Sequence, residues 1–272
     1  TSYADHMKKT ILNNEVYFHS ANSMAKEYGI ENLQFALAKT VSSIDFDRIG
    51  YDKELSKKIK TELDKSDLKT AVLGCYINPV EQDTHSLGTQ LKRFENFIDY
   101  AYDFNAGVIG TETGYGNIEY LHSDDNYRFF LNNMEPMMCK AENKGVLIGI
   151  EPVWTSTIYS PQRMKQIFDD TKSDNLRVIL DISNLMSADN YKNQKQIIDD
   201  AFELFGSRIS TVHLKDFDFK DGKRIFALPC RGLLEIKYLL DKISMLDKTP
   251  DIILDELPVK CYKQAYEELN ML

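Results

Sequence analysis

Four apolar stretches of this sequence end on, or carry near their end, a group that can bind a proton or a metal. Glu151 closes "GVLIGIE", Asp181 stands in "VILDISN", His213 in "STVHLKDF", and Asp255 and Glu256 close "IILDE". A buried, unpaired carboxylate costs several kcal/mol, so each must find water, a cation or a metal. Taken singly, such residues are ordinary. A strand-end Asp or Glu is usually a helix cap or a salt-bridge member, and a His on a strand is more often a hydrogen-bonded core residue than a ligand. Four on successive strand ends are harder to explain that way. Glu151, Asp181, His213 and one of Asp255 or Glu256 make an oxygen-rich donor set with one imidazole. That set suits manganese, magnesium or cobalt better than zinc or another thiolate-selected metal. Side chains alternate along a strand, so only one of Asp255 and Glu256 can face the same side as the others.

The elements that would position these groups follow from hydrophobic period. Strand-like apolar runs fall at 32–38, 69–77, 107–112, 145–151, 176–182, 209–215 and 251–256. Helical periodicity falls between them, at 51–66, 86–105, 124–143, 193–206, 233–246 and 260–271. A further helix opens in "SPQRMKQIFDDT", with Ser160 as N-cap and Pro161 at the first helical position. Strands that are apolar nearly throughout are covered on both faces, as in parallel sheets. Strand–helix alternation at this length predicts an α/β fold of the (β/α)8 TIM barrel type, one domain over 1–272. A doubly wound open sheet is the alternative, but no GxGxxG or GxxxxGK[ST] opens a helix.

The first unit is incomplete. "HSANSMAKEYGIENLQF" reads as a helix running into the second strand, with Gly29 ending the helix. The first strand should precede it. "TSYAD" (1–5) looks like the end of such a strand, truncated before its apolar body, and "EVYF" (15–18) is a poorer match.

Composition sets the outer bounds. The chain has 272 residues, a net charge of −9 and 43% apolar content, enough for a large core. An acidic chain is a poor partner for nucleic acid, which needs clustered Lys and Arg. "KELSKKIKT" is basic, but its charges alternate with apolar residues at helical spacing and read as a solvated helix face. No run of ~18 apolar residues suggests a membrane span. Cys75, Cys139, Cys230 and Cys261 form no CxxC pair and read mostly as small core residues, so a reducing, cytoplasmic setting is expected.

The motifs "IGIEP", "ILDISN", "VHLKD" and "ILDEL", in this order, resemble the xylose isomerase-like TIM barrels. Within them the chain is similar to the sugar phosphate isomerase/epimerase group, which includes the ketose 3-epimerases. "GTETG" (110–114) and "CYINP" (75–79) also resemble segments of that group, and the likeness runs from about residue 20 to the end. The resemblance implies one divalent metal held by Glu151, Asp181, His213 and Glu256, with Glu151 and Glu256 also exchanging protons with a small-molecule sugar. Barrels of this group often pair, so a homo-oligomer is a further expectation of the resemblance. Two departures stand out. Epimerases of the group show Asp-x-x-His where this chain has Asp181-x-x-Asn184, and they place an Arg shortly after the His where this chain reads "KDFDFKDGKR". Lys220, Lys223 and Arg224 are unaligned substitutes for that Arg.

Other residues near these strand ends are candidates for substrate contact. Asn184 can hydrogen-bond a hydroxyl but cannot carry charge. Trp154, the only Trp, can stack on a sugar face or simply pack. Glu112 ends a strand, and Lys215 shares a strand face with His213. Asp216 reads as a structural hydrogen-bond partner. His85 and His122 fall in loop-like segments and read as solvent-facing. The same superfamily contains dehydratases, so a metal-dependent lyase acting on a polyol or keto-acid is an alternative, as is a sugar-binding member without catalysis. The DNA-repair endonucleases on this barrel resemble a three-metal, histidine-rich site. Five His in an acidic chain do not fit that reading.

Overall fold

The structure, a computed structural model, describes residues 27–41, 44–65 and 68–272. Seven strands form one all-parallel sheet. β1 (Asn32–Phe35), β2 (Lys69–Gly74), β3 (Val108–Thr111), β4 (Ile148–Ile150), β5 (Leu176–Leu180) and β6 (Ile209–Leu214) follow in order. After β6, the chain makes an antiparallel ribbon of β7 (Asp216–Lys220) and β8 (Lys223–Ala227), and β9 (Asp251–Leu254) then pairs with β6. Helices α1 (Lys53–Asp64), α2 (Thr84–Asp103), α3 (Asp124–Lys144), α4 (Pro161–Thr171), α5 (Gln194–Phe205) and α6 (Ile236–Ser244) connect the strands, and α7 (Tyr262–Leu269) follows β9. The architecture is a nearly closed TIM barrel. No described helix is long and apolar enough to cross a membrane.

The two sheet edges approach each other at Asn32 and Asp251, whose side chains hydrogen-bond at 2.8 Å. Between β1 and β9 runs a largely apolar groove of about 490 Å³, bordered by Leu33, Leu254, Tyr262 and Tyr266. The two segments proposed above for the first strand, 1–5 and 15–18, lie outside the described residues.

Helix signals in the sequence have direct counterparts. Ser160 accepts a hydrogen bond from the Arg163 amide at 3.2 Å, and Pro161 is the first residue of α4. Asp52 caps α1 through the amides of Glu54 and Leu55, and α1 buries Ile59 and Leu63.

Several strands are shorter than their apolar runs. The run 145–151 yields only three strand residues because Gly145, at φ +67°, caps α3. The amides of Gly145 and Val146 are given to Glu142 and Ala141, so they are not free for the ladder. The run 32–38 breaks after Phe35 into a helical turn, Leu37–Thr40. The ribbon was not anticipated at all. It turns at Asp221–Gly222, with φ of +52° and +72°, the Asp-Gly pairing that two-residue hairpin turns favour. Of the four cysteines, only Cys75 is buried as expected, and all four are free.

Inside the barrel, β3 and β4 present paired glycines, Gly110 opposite Gly149. The space above them is filled by Ile179 from β5. A Cβ on Gly149 would lie 2.9 Å from Ile179 Cδ1, and one on Gly110 would lie 2.7 Å from the same atom. Overpacking of this kind costs about 1–3 kcal/mol. Gly149→Ala is therefore expected to lower unfolding free energy by that amount in urea denaturation. The cost should shrink when Ile179→Ala removes Cδ1 and Cγ1, which both lie 2.9 Å from that Cβ, and an undiminished cost in the double variant would show that Ile179 is not the obstruction.

Candidate metal centre

The ends of β4, β5, β6 and β9 meet at the C-terminal mouth of the barrel, where enzymes of this architecture work. Glu151 follows β4 directly and is 2% exposed. Its amide donates to the Thr111 carbonyl at 3.0 Å, which continues the β3–β4 ladder past the strand end and holds the side chain inward. Asp181 follows β5 and is fully buried. It caps the short helical turn Ile182–Leu185: Oδ1 accepts from the Asn184 amide at 3.0 Å. Oδ2, on the other side of the carboxylate, makes no hydrogen bond of good geometry but is ion-paired with Lys215. His213, within β6, is 1% exposed. Glu151, Asp181 and His213 each offer a donor atom within 4.8 Å of the others.

Two amides fix the orientation of this trio. Asn184 Nδ2 donates to Glu151 Oε1 at 2.7 Å. Gln34 Oε1 lies 2.7 Å from His213 Nε2, while Gln34 Nε2 donates to the Tyr76 hydroxyl at 2.8 Å. With Nε2 donating to Gln34, Nδ1 faces the carboxylates, and in the neutral imidazole that a metal would require it would present its lone pair there. This is the usual way a ligating His is oriented from behind. Nδ1 lies 3.3 Å from Glu151 Oε1. Burial opposes protonation of His213, but the charges of Glu151, Asp255 and Asp181 outweigh it and push its pKa up to about 9.

Of the two adjacent carboxylates after β9, Asp255 turns into the cluster and Glu256 stays at its rim. Asp255 is 6% exposed, with Oδ2 at 4.0 Å from His213 Nδ1 and 2.9 Å from Lys215 Nζ. Burial disfavours its charge, yet His213 and Lys215 hold its carboxyl well below the usual range. The Glu256 side chain is 53% exposed, and its backbone sits at φ +54°. Of the expected pair, Asp255 is therefore the buried carboxylate beside His213, and Glu256 does not join the three buried donors. The alternation of side chains along β9 admits one of the two, and the backbone turn at 256 carries the other outward. Glu256 Oε2 still reaches to 3.5 Å from Lys215 Nζ.

Lys215 lies in the middle of these carboxylates. Besides Asp255 and Glu256, its Nζ is 3.1 Å from Asp181 Oδ2. Burial works against its charge, but Asp181, Asp255, Glu151 and Glu256 raise its pKa well above the ordinary value. Glu112, just past β3, is pushed up to about 7 by burial and then by the charge of Glu151.

The other sequence candidates divide. Asn184 is spent on Glu151, and its carbonyl accepts from the Trp154 amide at 2.8 Å, so it braces the site. The Trp154 ring packs edge-on to His122 and Tyr159, at centroid distances of 5.4 and 6.2 Å. His122 is not a solvent residue. It stacks on Tyr159 at 3.7 Å and bonds the Trp154 carbonyl at 2.8 Å. Asp216 is structural as expected, accepting from the amides of Phe217, Gly232 and Leu234. The ribbon folds back so that Arg224 donates to the Ser183 carbonyl, beside Lys215 and Glu256 around a small cavity of about 110 Å³. Gln34 was missed by sequence reasoning. Its one signal is a lone polar residue between Leu33 and Phe35.

The chain matches the family model described as xylose isomerase-like TIM barrel over residues 23–258. A search of curated proteins finds no match. Many solved structures share the fold. A D-tagatose 3-epimerase-like protein is 17% identical with a TM-score of 0.65, covering 81% of this chain and 82% of its own. The probable 3-DHS dehydratase AsbF of Bacillus anthracis is 12% identical with a TM-score of 0.72, covering 97% and 96%. A xylose isomerase-like TIM barrel protein of Mycobacterium smegmatis, in complex with magnesium, is 13% identical with a TM-score of 0.66, covering 96% and 90%.

Glu112 gives the site a pH signature. Its folded pKa, about 7, lies above the ordinary 4.5, so its contribution to stability is fully present below 4.5 and is lost as pH rises through 7. In the presence of a chelator, unfolding free energy is expected to fall across this window by up to roughly 3 kcal/mol. Glu112→Gln should flatten the slope and be the more stable protein at pH 8, as read by urea denaturation. An unchanged slope would place Glu112 in contact with water.

Proposed function

The chain belongs to the xylose isomerase-like TIM barrel family, and from that premise we propose that it is a divalent-metal-dependent isomerase or epimerase of a sugar or sugar derivative. One observation carries the reading: three buried donors, Glu151, Asp181 and His213, converge within 4.8 Å at the barrel mouth. Their chemistry fits a metal. Asp181 Oδ2 is buried and makes no hydrogen bond of good geometry, its neighbouring cation being Lys215 Nζ at 3.1 Å, while Glu151 Oε1 and His213 Nε2 are held by Asn184 and Gln34. Glu151, Asp181 and His213 would hold the ion, with Asp255 as the neighbouring third carboxylate. Carboxylate oxygens with one imidazole suit manganese, magnesium or cobalt.

Such an ion supplies Lewis acidity, polarising a carbonyl and its adjacent hydroxyl. The chain's own groups do the rest. Glu151, fixed through Oε1 by Asn184, is placed to take the proton alpha to the carbonyl. Glu256 stands on β9's side of the mouth, beyond β5 and β6 from Glu151 in the sheet order, and is free enough at the rim to return a proton from another direction. Return to the same carbon on the other face gives an epimer; delivery to the neighbouring carbon gives an isomer. Trp154, packed against Tyr159 and His122 in the loop after β4, would border the substrate on that side. A cytoplasmic, small-molecule enzyme is the setting we propose.

A second reading is a lyase, supported by the fold similarity to the probable dehydratase. Proton abstraction beside a carbonyl opens both reactions, and loss of water separates them.

A screen of ketoses, aldoses and inososes with manganese, read by NMR in heavy water, tests the proposal. A converted substrate should gain one deuterium alpha to its carbonyl at unchanged carbon skeleton, whereas loss of water would favour the lyase. Glu151→Gln and Glu256→Gln should each lower turnover by ~100-fold or more, the scale of a positioned acid or base. Metal content must be measured alongside, and full activity in either variant removes that residue from the mechanism.

A further inference from the structure

Lys215 is in an unusual place for a cation beside a metal site. Strand alternation puts it on the same face as His213, two residues on, and it is 5% exposed. Its Nζ is 2.9 Å from Asp255 Oδ2 and 3.1 Å from Asp181 Oδ2. Asp181 Oδ1 is committed to the Asn184 amide, so Oδ2 is the atom Asp181 has left for an ion. The ammonium and a metal would therefore face the same oxygen.

We propose that Lys215 is a resident cation that competes with the divalent metal for Asp181 and so sets the affinity of the site. The inference rests on the metal reading above. Glu151, Asp181 and Asp255 bring three carboxylates into one buried space, where like charges repel strongly. An ammonium is a compact point charge on a flexible stem, able to hold two carboxylates together and to shift toward a third. Glu256 Oε2, 3.5 Å away at the rim, is that third partner. When an ion takes Asp181 Oδ2, Lys215 keeps Asp255 and moves toward Glu256. Without an ion, it prevents the carboxylates from driving the mouth apart. The cost is weaker metal binding than the same donors would have alone, because the ion enters against a fixed positive charge.

The test is manganese affinity by titration calorimetry, with thermal melts in chelator and in manganese, for the wild-type chain, Lys215→Met and Lys215→Arg. Lys215→Met should bind manganese tenfold or more tightly than wild type. It should melt lower in chelator and gain more from manganese, and Lys215→Arg, which keeps the charge, should stay near wild type. A Lys215→Met chain that folds only with manganese, or that binds the ion where wild type does not, also supports the proposal. Equal or weaker binding in Lys215→Met overturns it, leaving Lys215 as an organiser of the ligands. A chain unfolded with and without manganese overturns it as well, in favour of a purely structural lysine. If neither wild type nor Lys215→Met binds any manganese, the metal reading itself fails and takes this inference with it. Binding by wild type without tightening in Lys215→Met leaves that reading intact and removes only the competitor.

Discussion

The mouth of this barrel depends on keeping Glu151, Asp181 and Asp255 together out of water. Each is at most 6% exposed. Buried like charges repel far more strongly than exposed ones, and a single unpaired buried charge is already costly. The fold meets this in three ways. Lys215 inserts an ammonium between Asp181 and Asp255. His213 is held in a state that readily accepts a proton. Backbone and side-chain amides take up part of the carboxylate oxygens: the Asn184 amide on Asp181 and the Asn184 side chain on Glu151. An arrangement that needs this much compensation is more easily understood as a site for a cation than as a device for stability, since ion pairs buried in a core are often no better than apolar residues of the same size.

The barrel makes such a cluster geometrically natural. Parallel strands bring all their C-terminal ends to one face, so residues far apart in sequence share a space a few ångströms wide. Asp181 shows the economy of the arrangement. One carboxylate oxygen starts the helical turn Ile182–Leu185, and the other faces Lys215. Beneath the mouth, Gly110 and Gly149 make room for Ile179, so the bore is filled by an aliphatic side chain and the polar groups stay at the rim. The ribbon after β6 adds the Arg224 side of the mouth without disturbing the sheet, because its strands pair only with each other.

Much of this was legible in the sequence, and the reasons for the gaps are local. Alternating apolar runs and helical stripes identified the parallel barrel because its strands are covered on both faces, and the positions of Glu151, Asp181 and His213 followed from the strand ends. Choosing between Asp255 and Glu256 required the backbone turn after β9, with φ +54° at Glu256, which no periodicity announces. Gln34 reaches His213 from a strand 179 positions earlier, so the pairing exists only in three dimensions. The ribbon has only a local signal, the Asp-Gly turn of "KDFDFKDGKR", because its short, charged strands carry no apolar run. His122 and Trp154 look like loop residues in sequence; their ring packing on Tyr159 depends on how the loops after β3 and β4 meet.

The central claim is that one divalent ion sits among Glu151, Asp181 and His213. It is tested most directly by crystals grown with manganese, with diffraction collected at the manganese absorption edge. The account predicts a single strong anomalous peak at the barrel mouth, about 2.0–2.3 Å from a carboxylate oxygen of Glu151, Asp181 Oδ2 and His213 Nδ1, distances ordinary for oxygen and imidazole ligands. A mouth that stays free of anomalous density at saturating manganese, or a peak that none of these three residues touches, would contradict it.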